Sequence, residues 1–418
     1  MDRPISTCLG SLVQKDGAGA ERTALIEWGP NPRSISYDEL DVLTDRMGQH
    51  MLNRGIGRGD IVVVMLTNCC DLQICYFACF KIGAIMQPLN FQIGEAEVSY
   101  VIGQCRPRML ITNSKLLARI GKATELADME LVVVGDAPPP ATTPFSALLE
   151  PLPVSLPAAV QPDDFAQLFF VFTQQASQFN GRGVLLSHRV LSWHSLPYER
   201  MGLTGKDVVA GVLHPYNALT RAVMKAGATY VLIPEFTGEE FLRCCESYPI
   251  SFLGATPGMF EQCLLASRKS GIVPKSLRAC FAVGGTLDPA LWREFEERFE
   301  TRIFGGMGCK ELGIFSLEPA DRPSRHGSIG QVLPYMEARI ASAESPLGDS
   351  RQRGFLWVKS ESIITHYWID GKPSPLRSEQ GWFPTGYEVH RDNEDYLYCT
   401  GATLDQSISG QKRYFNIG

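Results

Sequence analysis

The sequence predicts an α/β protein built on parallel sheets flanked by helices, with a smaller β-rich piece towards its end. Three observations predict it. Apolar runs of strand length alternate with helix-length segments from about residue 23 onward, the mark of strand–helix–strand units. That alternation breaks at a Pro/Ala-rich stretch, Ala137 to Ala159, and then resumes, so the stretch reads as a linker or long surface loop. From about Gly327 the apolar runs become short and are separated by turns, which marks a small β-rich third piece.

Taken in order, Thr23 to Trp28 is a strand followed by a turn at Gly29-Pro30-Asn31-Pro32. Tyr37 to Asn53 carries Leu40, Leu43, Met47 and Met51 at helical spacing, with Ser36 as N-cap. Gly55 to Asp60 is a turn, Ile61 to Leu66 a buried strand, Asp71 to Ile82 a helix, and Ala84 to Pro88 a short strand after Gly83. Beyond the linker, Val208 to Leu213, Ala228 to Ile233 and Ala279 to Val283 are strands. Gly238 to Glu246, Gly258 to Ser267 and Pro289 to Phe299 are helical, while Gly354 to Val358 and Tyr396 to Cys399 are short strands of the third piece.

Composition narrows the function. The 418 residues suffice for two or three packed subdomains, and 44% apolar with 20% charged residues is ordinary for a globular protein. A net charge of −6 without a long basic run argues against nucleic acid. The start, Met1-Asp2-Arg3-Pro4, lacks the regions of a secretion signal. The best candidate for a membrane span, Leu72 to Met86, contains Gln73 and Lys81. The twelve cysteines include Cys69-Cys70, Cys75 and Cys79 in one apolar segment, and none has zinc-ligand spacing. Reduced, buried thiols in a cytoplasmic protein with no metal site are therefore expected.

The stretch that carries chemistry is 169–188. An apolar run ending at Phe172 meets a polar segment closing on Gly181-Arg182-Gly183, and a second apolar run leads to Ser187-His188. Strand, flexible loop and new element is the layout of a phosphate-cradling turn, which needs glycines and hydroxyls. Gln174, Gln175, Gln178 and Phe179 stand where small residues are wanted. The segment alone leaves a phosphate loop and a plain surface connection equally open.

Several passages together resemble the adenylate-forming superfamily of acyl- and aryl-CoA synthetases, luciferases and peptide-synthetase adenylation domains. Ser36-Tyr37-Asp38-Glu39-Leu40 resembles that family's "TYxEL", Gly59-Asp60-Ile61-Val62 its "GDxV", and Lys81-Ile82-Gly83-Ala84 with Pro88-Leu89-Asn90 its "kxGAxxxPLN". Gly284-Gly285-Thr286-Leu287 is similar to "GGAPL", Met307-Gly308-Cys309-Lys310-Glu311 to "YGxTE", and Gly381 to Tyr387 to "GWxxTGD". The matches run in order from about residue 20 to the end, with 214–227 shortened. The resemblance implies two flavodoxin-like α/β subdomains with flanking helices plus a small distorted β-barrel. These are expected at residues 1–160, 161–325 and 326–418, with the family's C-terminal lid domain absent.

The resemblance also assigns residues. It places a nucleotide pocket at Thr173, Ser177, Arg182, Gly284, Gly285, Met307, Gly308, Glu311, Thr385 and Tyr387. A substrate pocket is implied at His214, Thr256, Pro257, Gly285 and Cys309, and His214, Lys310 and Glu311 are the candidates for catalysis. Most departures from the family fall on ATP-handling positions. Met307 replaces the aromatic that stacks on adenine, Lys310 the phosphate-contacting threonine, and Tyr387 the ribose-binding aspartate. Ala402 replaces the arginine of "GRxxD", and Ser409 stands where a lysine often occurs, although Asp405 keeps an acidic position. Glu311 matches the magnesium-associated glutamate, with Lys310 beside it as an ion-pair partner. His188 matches the "SH" that ends the loop and reads as structural.

The leading expectation is a divergent acyl-CoA-synthetase-like protein, unable to form an acyl-adenylate alone. It would retain an acyl, aryl, thioester or carrier-partner binding role and need no cofactor. One rival is an ATP-dependent ligase using Mg-ATP and CoA with an unusual loop. A second is an acyltransferase that uses the same cleft without ATP. A homodimer is left open.

Overall fold

The computed structural model describes residues 8–15, 17–121, 128–135, 138–157, 160–175, 178–213, 218–343, 345–346 and 352–402, with the backbone alone at 18, 172–175, 178–181 and 402. Two compact units are distinguished. The first comprises Met1–Ser192, His214–Glu235 and Ile364–Pro375; the second comprises Trp193–Leu213, Phe236–Ile363 and Leu376–Gly418.

In the first unit a 3-10 turn, Leu9–Val13, precedes β1 (Thr23–Glu27), β2 (Arg33–Ser36), α1 (Tyr37–Asn53), β3 (Ile61–Met65), α2 (Cys70–Ile82) and β4 (Ile85–Pro88). Then come α3 (Glu95–Cys105), β5 (Met109–Asn113), α4 (Ser114–Arg119), β6 (Glu130–Val134), β7 (Thr143–Pro144), β8 (Phe165–Gln175) and β9 (Gln178–Ser187). Helix α5 (His188–Arg200) carries the chain onward, and α6 (Ala218–Ala226), β11 (Thr229–Leu232), β20 (His366–Ile369) and β21 (Lys372–Pro375) return to this unit. A nine-stranded sheet runs β21-β20-β9-β8-β4-β3-β5-β6-β7. Its strands from β8 to β7 are parallel, and β9, β20 and β21 pair antiparallel. Separately, β1 pairs parallel with β11 and antiparallel with β2.

These elements follow from their residues. Every position of Ile61-Val62-Val63-Val64-Met65 is apolar and buried, as a parallel strand covered on both faces must be. Ser36 Oγ accepts from Glu39 N at 3.1 Å while a Glu39 carboxylate oxygen accepts from Ser36 N at 2.8 Å. That reciprocal pair starts α1. Helix α2 is buried on nearly all sides and ends at Gly83, whose φ of +73° suits a residue without Cβ. Its Lys81 ammonium, itself buried, is held by Asp41 and by Asp45 at 2.6 Å, which ties α2 to α1.

The segment expected as a flexible loop is a hairpin. Strands β8 and β9 pair without a break from Leu168↔Leu185 to Gln175↔Gln178. The apolar β-favouring residues on both arms drive that pairing, and Gly183 serves it rather than a phosphate nest. A Cβ on Gly183 would lie 2.5 Å from Leu168 Cδ1 and 2.6 Å from Trp368 Cβ. The glycine is what lets β20 close against β9.

The second unit holds a parallel run β14-β13-β12-β10, from β10 (Val208–Gly211), β12 (Phe252–Ala255), β13 (Ala279–Ala282) and β14 (Arg302–Phe304). Helices α7 (Gly238–Ser247), α8 (Pro257–Ser270) and α9 (Pro289–Phe299) belong with it. A three-stranded antiparallel sheet of β15 (Gly306–Cys309), β16 (Gly313–Leu317) and β17 (Gln331–Val332) comes next. Last is a four-stranded antiparallel sheet ordered β18 (Glu337–Ala341), β19 (Arg353–Lys359), β22 (Phe383–Arg391) and β23 (Leu397–Ala402). All twelve cysteines are unbridged, eight of them buried. Among the described residues no helix is long and apolar enough to cross a membrane.

Candidate functional site

Four candidate residues of the second unit lie just beyond the carboxyl ends of two neighbouring parallel strands, where open α/β sheets form crevices. Strands β12 and β13 run side by side in the register Ala255↔Ala282. Thr256 follows β12 and caps α8, its Oγ1 accepting from Met259 N at 3.4 Å, with Pro257 in the first helical position. Beyond β13 the chain turns at Gly284, φ +86°. Gly285 follows, and a Cβ there would meet Pro257 Cγ at 3.7 Å. Four expected residues, Thr256, Pro257, Gly284 and Gly285, thus adjoin.

The hairpin of β15 and β16 presents the next group. Gly306 and Gly308 are required by packing: a Cβ would lie 2.8 Å from Phe281 Cε2 in one case and 2.6 Å from Gly313 O in the other. Met307 is buried, Cys309 is half-buried against the same apolar cluster, and Lys310 and Glu311 occupy the turn. Burial pushes the half-buried Lys310 ammonium below its ordinary pKa, while the neighbouring Glu311 carboxylate pulls it back. His194 on α5 braces this turn. Its Nε2 lies 3.1 Å from Ser362 O, and Ser362 Oγ donates to Leu312 O at 3.1 Å. The imidazole occupies the space a Cβ on Gly313 would need, 2.6 Å from its Cδ2. Neither His194 nor Ser362 carries a local signal, because the turn they hold lies far away in sequence.

Thr385 and Tyr387 sit on β22. Thr385 Oγ1 donates to Leu356 O at 2.8 Å and accepts from Tyr387 N at 3.2 Å. The Tyr387 ring stands 6.0 Å from that of Phe315. Met307, at 9% exposure, and Tyr387, at 8%, belong to one apolar cluster with Leu312, Phe315, Leu356, Val358 and Phe383. The structure therefore brings together the two residues expected at the adenine and ribose positions, inside a hydrophobic core.

In the first unit Thr173 pairs through its backbone with Asn180, and Arg182 with Val171. The Arg182 guanidinium lies over the Tyr367 ring, 4.3 Å from its centroid, a cation–π contact. Ser177, His214, Asp405 and Ser409 lie outside the described residues. His188 is fully buried, its Nδ1 accepting from Leu9 N at 3.1 Å.

Comparison with known proteins places this geometry. The chain is 27% identical over 393 residues to an indoleacetate–CoA ligase of Aromatoleum aromaticum, covering 92% of this chain and 76% of that protein. It is 27% identical over 394 residues to a 3-hydroxybenzoate/4-hydroxybenzoate–CoA ligase of Thauera aromatica, covering 91% and 74%. Its fold is similar to that of an anthranilate CoA ligase solved with anthranoyl-AMP, at a TM-score of 0.84 and 21% identity, over 97% of this chain and 80% of that one. The luciferase-like enzyme of the nonluminescent mealworm Zophobas morio also superposes at 0.84, with 20% identity over 96% and 97%. The mixed α/β fold is thus that of the large domain of adenylate-forming enzymes. Residues 14–368 match the family described as AMP-binding enzyme, and the chain belongs to that family.

Proposed function

We propose that this chain binds an acyl or aryl carboxylic acid, or its thioester, and does not itself form an acyl-adenylate in the family's usual way. The observation that carries this reading is the pair Met307 and Tyr387, both packed in the apolar cluster around Phe315 and Leu356. A nucleotide needs a stacking aromatic and a carboxylate there; a buried phenol cannot offer a carboxylate's paired acceptors. The β8–β9 ladder supports it further, because pairing through Thr173↔Asn180 and Gln174↔Phe179 draws backbone N–H groups to the partner strand. The acid-binding half is supported by the named acids of the relatives, indoleacetate and hydroxybenzoate, and by the adjoining Thr256, Pro257, Gly284 and Gly285. A carrier domain or a synthetase partner is the source we propose for a thioester.

One observation favours a second reading, a ligase with an altered nucleotide loop: Glu311 is retained and is only 4% exposed. Thermal-shift titration separates the two. On the leading reading, indoleacetate or benzoate raises the melting temperature and Mg-ATP does not. A saturable rise with Mg-ATP, together with pyrophosphate release in the presence of the acid, would establish the ligase instead. Turnover of a benzoyl thioester without nucleotide would add acyl transfer to binding.

A further inference from the structure

The nine-stranded sheet of the first unit ends on β7 at one side and on β21 at the other. An outermost strand normally offers every second N–H and C=O to solvent, a ready template for another chain. Neither edge here has that form. Strand β7 is only Thr143 and Pro144, and a 3-10 turn, Phe145–Leu148, follows at once. Strand β21 is longer, and its register decides which of its backbone groups face outward.

The turn fixes that register. Asp370 and Gly371 join β20 to β21 with φ of +49° and +75°, the two positive values of a two-residue hairpin loop. Such a loop is closed by a pair that exchanges backbone hydrogen bonds, here Ile369↔Lys372. Bonded and non-bonded pairs then alternate, so Tyr367↔Ser374 bonds across the ladder while Trp368↔Pro373 and His366↔Pro375 do not. The outward positions of β21 are therefore its two prolines, both exposed, and proline has no N–H to offer. This edge presents acceptors without donors, and the exposed Lys372 adds a charge beside them. We infer that both edges of this sheet are shaped to refuse strand addition by a second copy of this chain, with Pro373 and Pro375 as the blocking residues. The inference uses no residue of the Thr256–Gly285 group or the Met307–Tyr387 cluster, so it stands or falls independently of the acid-binding and nucleotide readings.

The test compares the full chain with the double variant Pro373→Thr/Pro375→Thr, which returns both outward N–H groups on a β-favouring residue. No ladder hydrogen bond changes, so the double variant is expected to melt within a few degrees of the unaltered chain. In sedimentation velocity between about 1 and 100 µM, its weight-average mass should climb to about twice that of the unaltered chain or more. Hydrogen exchange should find the amides at 373 and 375 fast in dilute solution and protected in the associated species, which a merely sticky surface would not produce. Ser374→Pro, by contrast, takes a donor from the ladder and should melt several degrees lower without added association. If the double variant does not fold, Pro375→Thr alone goes through the same measurements. Equal mass for variant and unaltered chain across the concentration range overturns the inference. So does a Ser374→Pro variant that melts like the unaltered chain, because the prolines would then face inward.

Discussion

His188 is a titratable group stored inside a core. Its Nδ1 takes the Leu9 N–H, its ring meets Phe80 edge-on at 5.6 Å, and burial drives its pKa from 6.5 to about 4, with Asp164 pulling the other way. The folded value lies below the unfolded one, so the unfolded chain binds the extra proton. The stability that the neutral ring contributes is complete above pH 6.5 and is lost as pH falls through 4, a change of about 3 kcal/mol. Denaturant midpoints should fall across that window, and His188→Asn, which keeps an acceptor near Nδ1, should flatten the dependence. A second residue tests the nucleotide reading. Tyr387→Asp restores the family's carboxylate but sets it among Leu312, Phe315 and Leu356, at an expected cost of about 3 kcal/mol or more. A variant that keeps its melting temperature and gains Mg-ATP binding would contradict the packing argument.

At the scale of the element, local chemistry decided what could be read in advance. The bounds of α1 were legible because Ser36 and Glu39 form its cap, and those of α9 because Asp288 caps it and Pro289 opens it. Replacing Ser36 by alanine should cost about 1 kcal/mol and lower the melting temperature by a few degrees. Elements that went unread lack such punctuation. Helix α3 contains Val98, Val101, Ile102 and Gly103 and no side-chain cap, and β12 is only four residues long. In sequence the β8–β9 hairpin reads as a loop because Gly181-Arg182-Gly183 has the composition of an anion nest. What requires Gly183 to be glycine is Trp368, far along the chain, and no local pattern announces that contact.

For the whole molecule, the strand–helix alternation and the ordered motifs sufficed for the fold, while the candidate site was only partly legible. Adjacent residues such as Lys310 and Glu311, or the glycines after β13, could be named from the sequence. The merging of Met307 and Tyr387 into one core and the bracing of the 310–313 turn by His194 and Ser362 depend on contacts between distant segments. A fragment ending at residue 363 lacks β20 and β21 of the nine-stranded sheet and β22 and β23 of the four-stranded one, leaves both sheets with unpaired edges, and should therefore pellet or stay chaperone-bound where the full chain is recovered in the supernatant; equal recovery would contradict this.

The same pairing of β20 with β9, His366↔Leu185 to Trp368↔Gly183, has a consequence for biosynthesis. About 190 residues separate the end of β9 from the end of β21, and translation proceeds at about 5–20 residues per second. A ribosome still has on the order of 10–40 s of elongation to complete after β9 emerges before its neighbour is available. During that interval the nascent sheet presents an unpaired edge, so codon choice and chaperone supply over the second half of the message bear on the yield of a first half already synthesised.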